Sequence, residues 1–167
     1  MTEDDRIAKL ARQIDVEVRK DQHLLLTEAE ILGLRRQGAA ELYTICADFV
    51  ASLNRLLSPP VVELTPAEYS PEMFRESGAN LIQLNAQGRI IQVAFQATRE
   101  KFSTEKFRIP YILEGEVRAY NQEMLERTEV RSLPLFFPAE QARNAWHYFE
   151  WLQAGPGSSA GASWRIF

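Results

Sequence analysis

At 167 residues the chain has the size of one compact domain with a single core, and two full domains are excluded. Hydrophobic residues at 46% and aromatic residues at 10% are a globular composition, not that of a disordered tail. Nineteen basic against 23 acidic residues leave a net charge of -4, so there is no bulk basic footprint for nucleic acid or an anionic membrane.

In residues 2–19, Ile7, Leu10, Ala11, Ile14 and Val18 recur at helical spacing. Glu3, Asp4 and Asp5 fill the first turn, where the helix dipole favours negative charge. The spacing predicts a first helix that loses phase at residues 20–23. Thr27 followed by Glu30 is a capping box, so a second helix starts there and is predicted to run to about Leu57. Along it Leu32, Ala39, Leu42, Cys46, Phe49, Leu53 and Leu56 keep a 3-4 alternation, with Arg35 the one charged interruption. A helix of ~30 residues spans ~45 Å, more than a small sheet covers, so part of this seam is expected to meet another helix. The first helix folding back as a hairpin can supply it, but is the shorter of the two. Self-association through the long helix is therefore expected, with a two-fold dimer as the default form. Gly33 and Gly38 either weaken this helix locally or mark close contacts.

Residues 58–60 divide the chain, because all eight prolines lie in or after Ser58-Pro59-Pro60. Residues 1–58 read as a helical region and 59–154 as an antiparallel-sheet region of the same domain. Residues 155–167 read as a flexible Gly/Ser/Ala linker ending in an aromatic tail that docks. Within the second region, residues 61–64 are a short extended candidate, and Thr65-Pro66 and Ser70-Pro71 fit one or two short helical turns. Residues 80–98 form a hairpin around a turn at 85–88, with Ile91, Val93 and Phe95 on its core face. Two long strands, 107–121 and 126–137, follow and pair antiparallel. Glu-Val-Arg occurs at 116–118 and again at 129–131. Charge complementarity then sets Glu116 opposite Arg131, Val117 opposite Val130 and Arg118 opposite Glu129. Residues 138–153 carry the stripe Ala139, Ala142, Ala145, Trp146, Phe149 and Leu152, which predicts a helix. The aromatic crowding from Trp146 to Trp151 keeps a further strand as the alternative. The fold class is α+β: an N-terminal helical pair packed with an antiparallel sheet of about four strands and a C-terminal helix or extra strand.

The chemistry is mostly bounded by what is scarce. Cys46 alone cannot close an intramolecular disulfide, and with only His23 and His147 the usual zinc sets cannot form. No phosphate-binding loop or nucleophile elbow occurs. The acidic N-terminus and the lack of any long apolar stretch point to a cytoplasmic protein with no membrane partner. Arg99, Lys101, Lys106 and Arg108 with Phe102 and Phe107 mix cations and rings, but Glu100 and Glu105 interleave, so no nucleic-acid partner is expected.

The clearest ionisable constellation is a strand ladder of Glu114, Glu116, Arg118, Tyr120, Arg127, Glu129 and Arg131. Glu114 and Glu116 sit ~7 Å apart along the strand, close enough to share a cation or divide acid and base roles. The arginines instead favour a solvated face laced by cross-strand ion pairs. The binding candidates are Glu114, Glu116, Arg118, Tyr120, Glu129 and Arg131, with Trp146 and Trp151 from the C-terminal aromatic cluster. No catalytic residue, metal ligand or cofactor is expected. The function expected is a self-associating binding or scaffold module without catalytic activity, engaging an unknown protein or small-molecule partner. The alternative is a small-molecule-binding protein or enzyme with a carboxylate and aromatic site on the sheet.

Overall fold

The computed structural model of the chain describes residues 3–24, 26–105, 110–123, 126–139, 146–151 and 162–166. Two helices come first, α1 (Glu3–Leu24) and α2 (Glu28–Leu56). Seven strands follow: β1 (Val62–Thr65), β2 (Asn80–Ala86), β3 (Arg89–Ala97), β4 (Tyr111–Glu123), β5 (Glu126–Pro138), β6 (His147–Trp151) and β7 (Ala162–Ile166). A single 3-10 turn, Pro71–Met73, lies between β1 and β2. The class is α+β, as expected.

α1 runs through the predicted phase break to Leu24. α2 begins at the predicted box: the Thr27 Oγ1 accepts from the Glu30 amide at 3.2 Å, and the Glu30 carboxylate accepts from the Thr27 amide at 2.7 Å. The strands form an antiparallel meander in which each pairs with its sequence neighbours, in the order β1 to β7. The sheet therefore exceeds the four strands expected. The segment at 61–64 pairs with β2 as β1, and the C-terminal region supplies β6 and β7. The preferred C-terminal helix gives way to the strand alternative over His147–Trp151, and the linker expected to reach Ser163 ends at Ala162, where β7 starts. The rest of 138–153 beyond Ala139 and before Trp146 lies outside the described residues.

The β2–β3 turn is set by Gln87 and Gly88, both with positive φ, the signature of a two-residue hairpin turn. Gly88 is required twice over, since a Cβ there would sit 2.7 Å from the Gln122 carbonyl. Its own carbonyl accepts from the Gln122 amide at 2.8 Å, tying the turn to β4.

The β4–β5 register differs from the one the charges predicted. Glu116 lies opposite Pro134, Val117 opposite Leu133 and Arg118 opposite Ser132, with an irregularity between Ala119 and Tyr120. Area decides this. The observed alignment places Leu113, Gly115 and Val117 opposite Phe137, Leu135 and Leu133, so one face is continuously apolar. Each buried aliphatic or aromatic side chain is worth about 1.5–3 kcal/mol, against a few tenths to ~1 kcal/mol for a cross-strand charge pair.

α2 lies on that apolar face. Ile31, Ala39, Leu42, Cys46 and Val50 join Ile82, Leu84, Val93, Phe95, Leu113, Leu135 and Phe137 in one core. Gly38 marks a close contact: an added Cβ would lie 3.0 Å from three atoms of the Phe137 ring. Gly33 has open space around it. Trp146 fills the same corner, edge-on to Phe95 with ring centroids 5.7 Å apart, and its Nε1 donates to the Gly38 carbonyl at 2.7 Å. Tyr43 stacks on Tyr69, and its hydroxyl donates to the carbonyls of Pro66 and Ala67, which holds the connection after β1 against α2.

The charged interruption in α2 is structural. Arg35 is buried, and its Nε donates to the Ile112 carbonyl at 3.1 Å while Nη2 reaches the Lys101 carbonyl at 3.0 Å and the Thr98 hydroxyl at 3.3 Å. Nη1 pairs with Glu76. One planar guanidinium thereby joins α2, the segment after β3 and the start of β4. Burial pulls its pKa down from the ordinary arginine value.

Candidate functional site

Three surfaces compete for the role of site: the charged face of β4, a groove beside the end of α2, and the apolar stripe of α1. On β4, Leu113, Gly115 and Val117 alternate with Glu114, Glu116, Arg118 and Tyr120, and the period of two sends the second set to the face away from α2. There Glu116 pairs with Arg118 and accepts from the Ser132 hydroxyl at 3.2 Å. Arg118 also approaches the Tyr120 hydroxyl at 3.4 Å, and Gln96 donates to Glu114 at 3.4 Å. The bonds to Glu116 first, and to Tyr120 second, hold the Arg118 guanidinium above its ordinary pKa. Every group in this cluster is satisfied by a neighbour, and the cluster is open to water, so the arrangement is that of an ion-paired solvated face.

The candidates divide across the sheet. Glu114, Glu116, Arg118 and Tyr120 share one face, and Glu129 stands opposite Tyr120 in the register. Arg131 stands opposite Ala119 in the register. Trp146 is 1% exposed and belongs to the core against Phe137 and Phe95. Trp151 ends β6, opposite Ala162 of β7. Trp146, in the core, therefore does not converge with the ladder. Of the basic and aromatic cluster, Phe102 is buried and Lys101 donates to the Leu26 carbonyl, while Lys106, Phe107 and Arg108 lie outside the described residues.

The groove, of about 250 Å³, lies where Phe49 and Leu53 of α2 pass over the β2–β3–β4 end of the sheet, with Val62, Leu84 and Ile91 in its wall. It is mostly apolar, and among its described lining residues there is no carboxylate. Nothing in the sequence pattern announces it, because it is made by residues from five elements. Its outer rim is rigid: the Asn54 side chain donates to the Val62 carbonyl at 2.9 Å and accepts from the Val62 amide at 3.0 Å, which occupies part of the open edge of β1.

No family model, curated protein or solved structure matches the chain. Residue chemistry alone therefore carries the functional reading. Among the described residues no group of His, Cys, Asp and Glu is arranged to hold a metal ion, and no helix is long and apolar enough to cross a membrane. The sole cysteine is buried beneath α2, and loss of solvent pushes its pKa up to about 11, a packing thiol and not an activated one.

The remaining surface is α1. Ile7, Leu10, Ile14 and Val18 lie between 60% and 49% exposed, with Ile7 the most open. Among the described residues α1 has no extensive contact with another element, and the expected hairpin with α2 is not seen there. The reason lies on α2: its apolar face is taken by the sheet, and its outward positions include Gln37, Thr44 and Asp48, which offer α1 nothing to bury against. The seam of α2 expected to meet another helix meets the sheet instead from Ile31 to Val50. Only its last turns, with Phe49 at 48% and Leu56 at 86% exposure, overhang.

Proposed function

We propose that the chain is a non-catalytic binding or scaffold module of the cytoplasm that associates with a second copy of itself, and that α1 is the associating element. The observation that carries this reading is the open α1 stripe, four large aliphatic side chains about half exposed on a 22-residue helix that has no extensive contact with another described element. Most helical stability in proteins comes from packing of an amphipathic face and not from intrinsic propensity. A second chain offers such a face. The overhanging Leu56 and Phe49 of α2 are a lesser, separate patch where the long helix joins in. The cytoplasmic part of the reading is supported by a lone buried thiol that takes part in no disulfide.

Sedimentation velocity over a concentration series tests the proposal. Reversible dimerisation that Ile14→Glu abolishes and Leu56→Glu only weakens is the expected result. A wild-type chain that stays monomeric at high micromolar concentration ends the reading. One feature favours a second reading, a small apolar ligand: the groove beside Phe49 and Leu53 is lined mostly by apolar residues. Native mass spectrometry distinguishes the two, since a retained ligand adds mass that is lost on denaturation.

A further inference from the structure

Resting on the proposed self-association, we infer that α1 pairs antiparallel with α1 of a second copy, about a two-fold axis between Arg12 and Gln13. The seam is its own mirror in sequence. Ile7, Ala11, Ile14 and Val18 follow the 4-3-4 spacing of a coiled-coil stripe. Inverting the helix about the midpoint of Arg12 and Gln13 exchanges Ile7 with Val18 and Ala11 with Ile14. Every level of the seam then sets one aliphatic residue against another, with the small Ala11 facing the large Ile14, while Leu10 flanks the seam. A two-fold interface needs this kind of self-complementary patch. Parallel pairing would set Ala11 against Ala11 and open a gap in the middle.

Charge points the same way. The first turn holds Glu3, Asp4 and Asp5, whereas residues 15–21 mix Asp15, Glu17 and Asp21 with Arg19 and Lys20. Parallel pairing stacks three carboxylates on three. The antiparallel pair keeps the two acidic first turns apart, and the two helix dipoles also oppose. Space agrees as well. In each copy the sheet and α2 follow Leu24, so an antiparallel pair about 33 Å long keeps the two bodies at opposite ends, whereas a parallel pair crowds them together. A membrane surface is a poorer occupant, because Lys9 and Arg12 on the polar side alternate with Asp5, Asp15 and Glu17 and give no cationic face.

Site-directed cross-linking tests the geometry. Ile7→Cys and Val18→Cys chains, each in a Cys46→Ala background, are oxidised alone and after co-expression, and the same samples are sedimented. The expected result is a disulfide-linked pair joining position 7 to position 18 in the co-expressed sample, at least tenfold above that in either variant alone. Self-linked Ile7→Cys and self-linked Val18→Cys with no mixed excess would mean a parallel pair, which overturns this inference and leaves self-association standing. A dimer by sedimentation with no cross-link in any sample would place the interface elsewhere and also overturn it. Should the cysteine variants and the unsubstituted chain all be monomeric, the proposed function falls with it.

Discussion

α1 and α2 both present an apolar stripe at helical spacing, yet the molecule treats the two stripes oppositely. Ile31, Leu42, Cys46 and Val50 of α2 are sealed against the sheet, while Ile7, Leu10, Ile14 and Val18 of α1 face solvent. The difference is one of chain topology. α2 is joined directly to the meander and covers its apolar face, so among the described residues that face is already taken and is not open to α1. Periodicity thus states which side of a helix has to be buried, and says nothing about which surface does the burying. The sharpest way to break the comparison is to place the same charge on each stripe. Leu42→Glu puts a carboxylate into the core and is expected to destabilise by more than about 4 kcal/mol, read as loss of cooperative unfolding in urea. Ile14→Glu in dilute monomer is expected to stay within about 0.5 kcal/mol of the parent. Equal losses would mean that α1 is packed after all.

The next largest effect concerns the one charge that α2 buries. Arg35→Ala removes the donors serving Ile112, Thr98 and Lys101 and strands Glu76, so a loss of about 3–5 kcal/mol is expected by thermal or urea denaturation. Glu76→Gln keeps the guanidinium and its carbonyl partners, and Glu76 is itself nearly half exposed. Its expected loss is therefore at most about 1 kcal/mol. Similar losses for the two variants would move the weight from the buried carbonyls to the ion pair.

Cys46 sharpens the contrast through pH. Burial raises its folded pKa from 9.0 to about 11, so the folded state holds the thiol proton more tightly than the unfolded state does. The resulting stability is fully present below pH 9 and is lost as pH rises toward 11. About two units correspond to roughly 2–3 kcal/mol. Urea midpoints at pH 8 and pH 11 should differ by more in the parent than in Cys46→Ala, because tyrosine titration is common to both. The same loss in both chains would show that Cys46 is not sealed.

Much of this architecture is legible in the sequence, where a local rule has no competitor. Thr27 and Glu30 mark the start of α2, and the alternation of Ile91, Val93 and Phe95 marks the core side of β3, because caps and period-two patterns depend on neighbours a few residues away. The β4–β5 register is not legible from charge. The matching Glu-Val-Arg strings suggested one alignment, but the apolar residues Leu133, Leu135 and Phe137 outweigh them. The segment around Trp146 misleads for a related reason: its aliphatic stripe fits a helix, while Trp146 is held by a bond to Gly38, more than a hundred residues away in sequence. Of the candidate site, the residues of the charged face on β4 are recoverable by counting in steps of two. The groove beside Phe49 is not, since it exists only where five elements meet.

The smallest expected effect tests the junction between the two helices. Only three residues separate α1 from α2, and a continuous helix through them is blocked by Thr27, whose extended backbone and hydroxyl cap the first turn of α2. Thr27→Ala is expected to cost about 1 kcal/mol. The reciprocal bonds from the Thr27 amide and hydroxyl hold the Glu30 carboxylate below its usual pKa. A depressed folded pKa means that the stabilisation is present at neutral pH and fades as pH falls below about 4.3, the unfolded value. The parent should therefore lose its advantage over Thr27→Ala on acidification. Circular dichroism read alongside adds the structural outcome: if the cap is what separates the helices, Thr27→Ala gains helical signal as α1 and α2 join, even while it loses stability. A variant that loses stability without gaining helix would place the break in the packing of Ile31 and Leu34 and not in the cap.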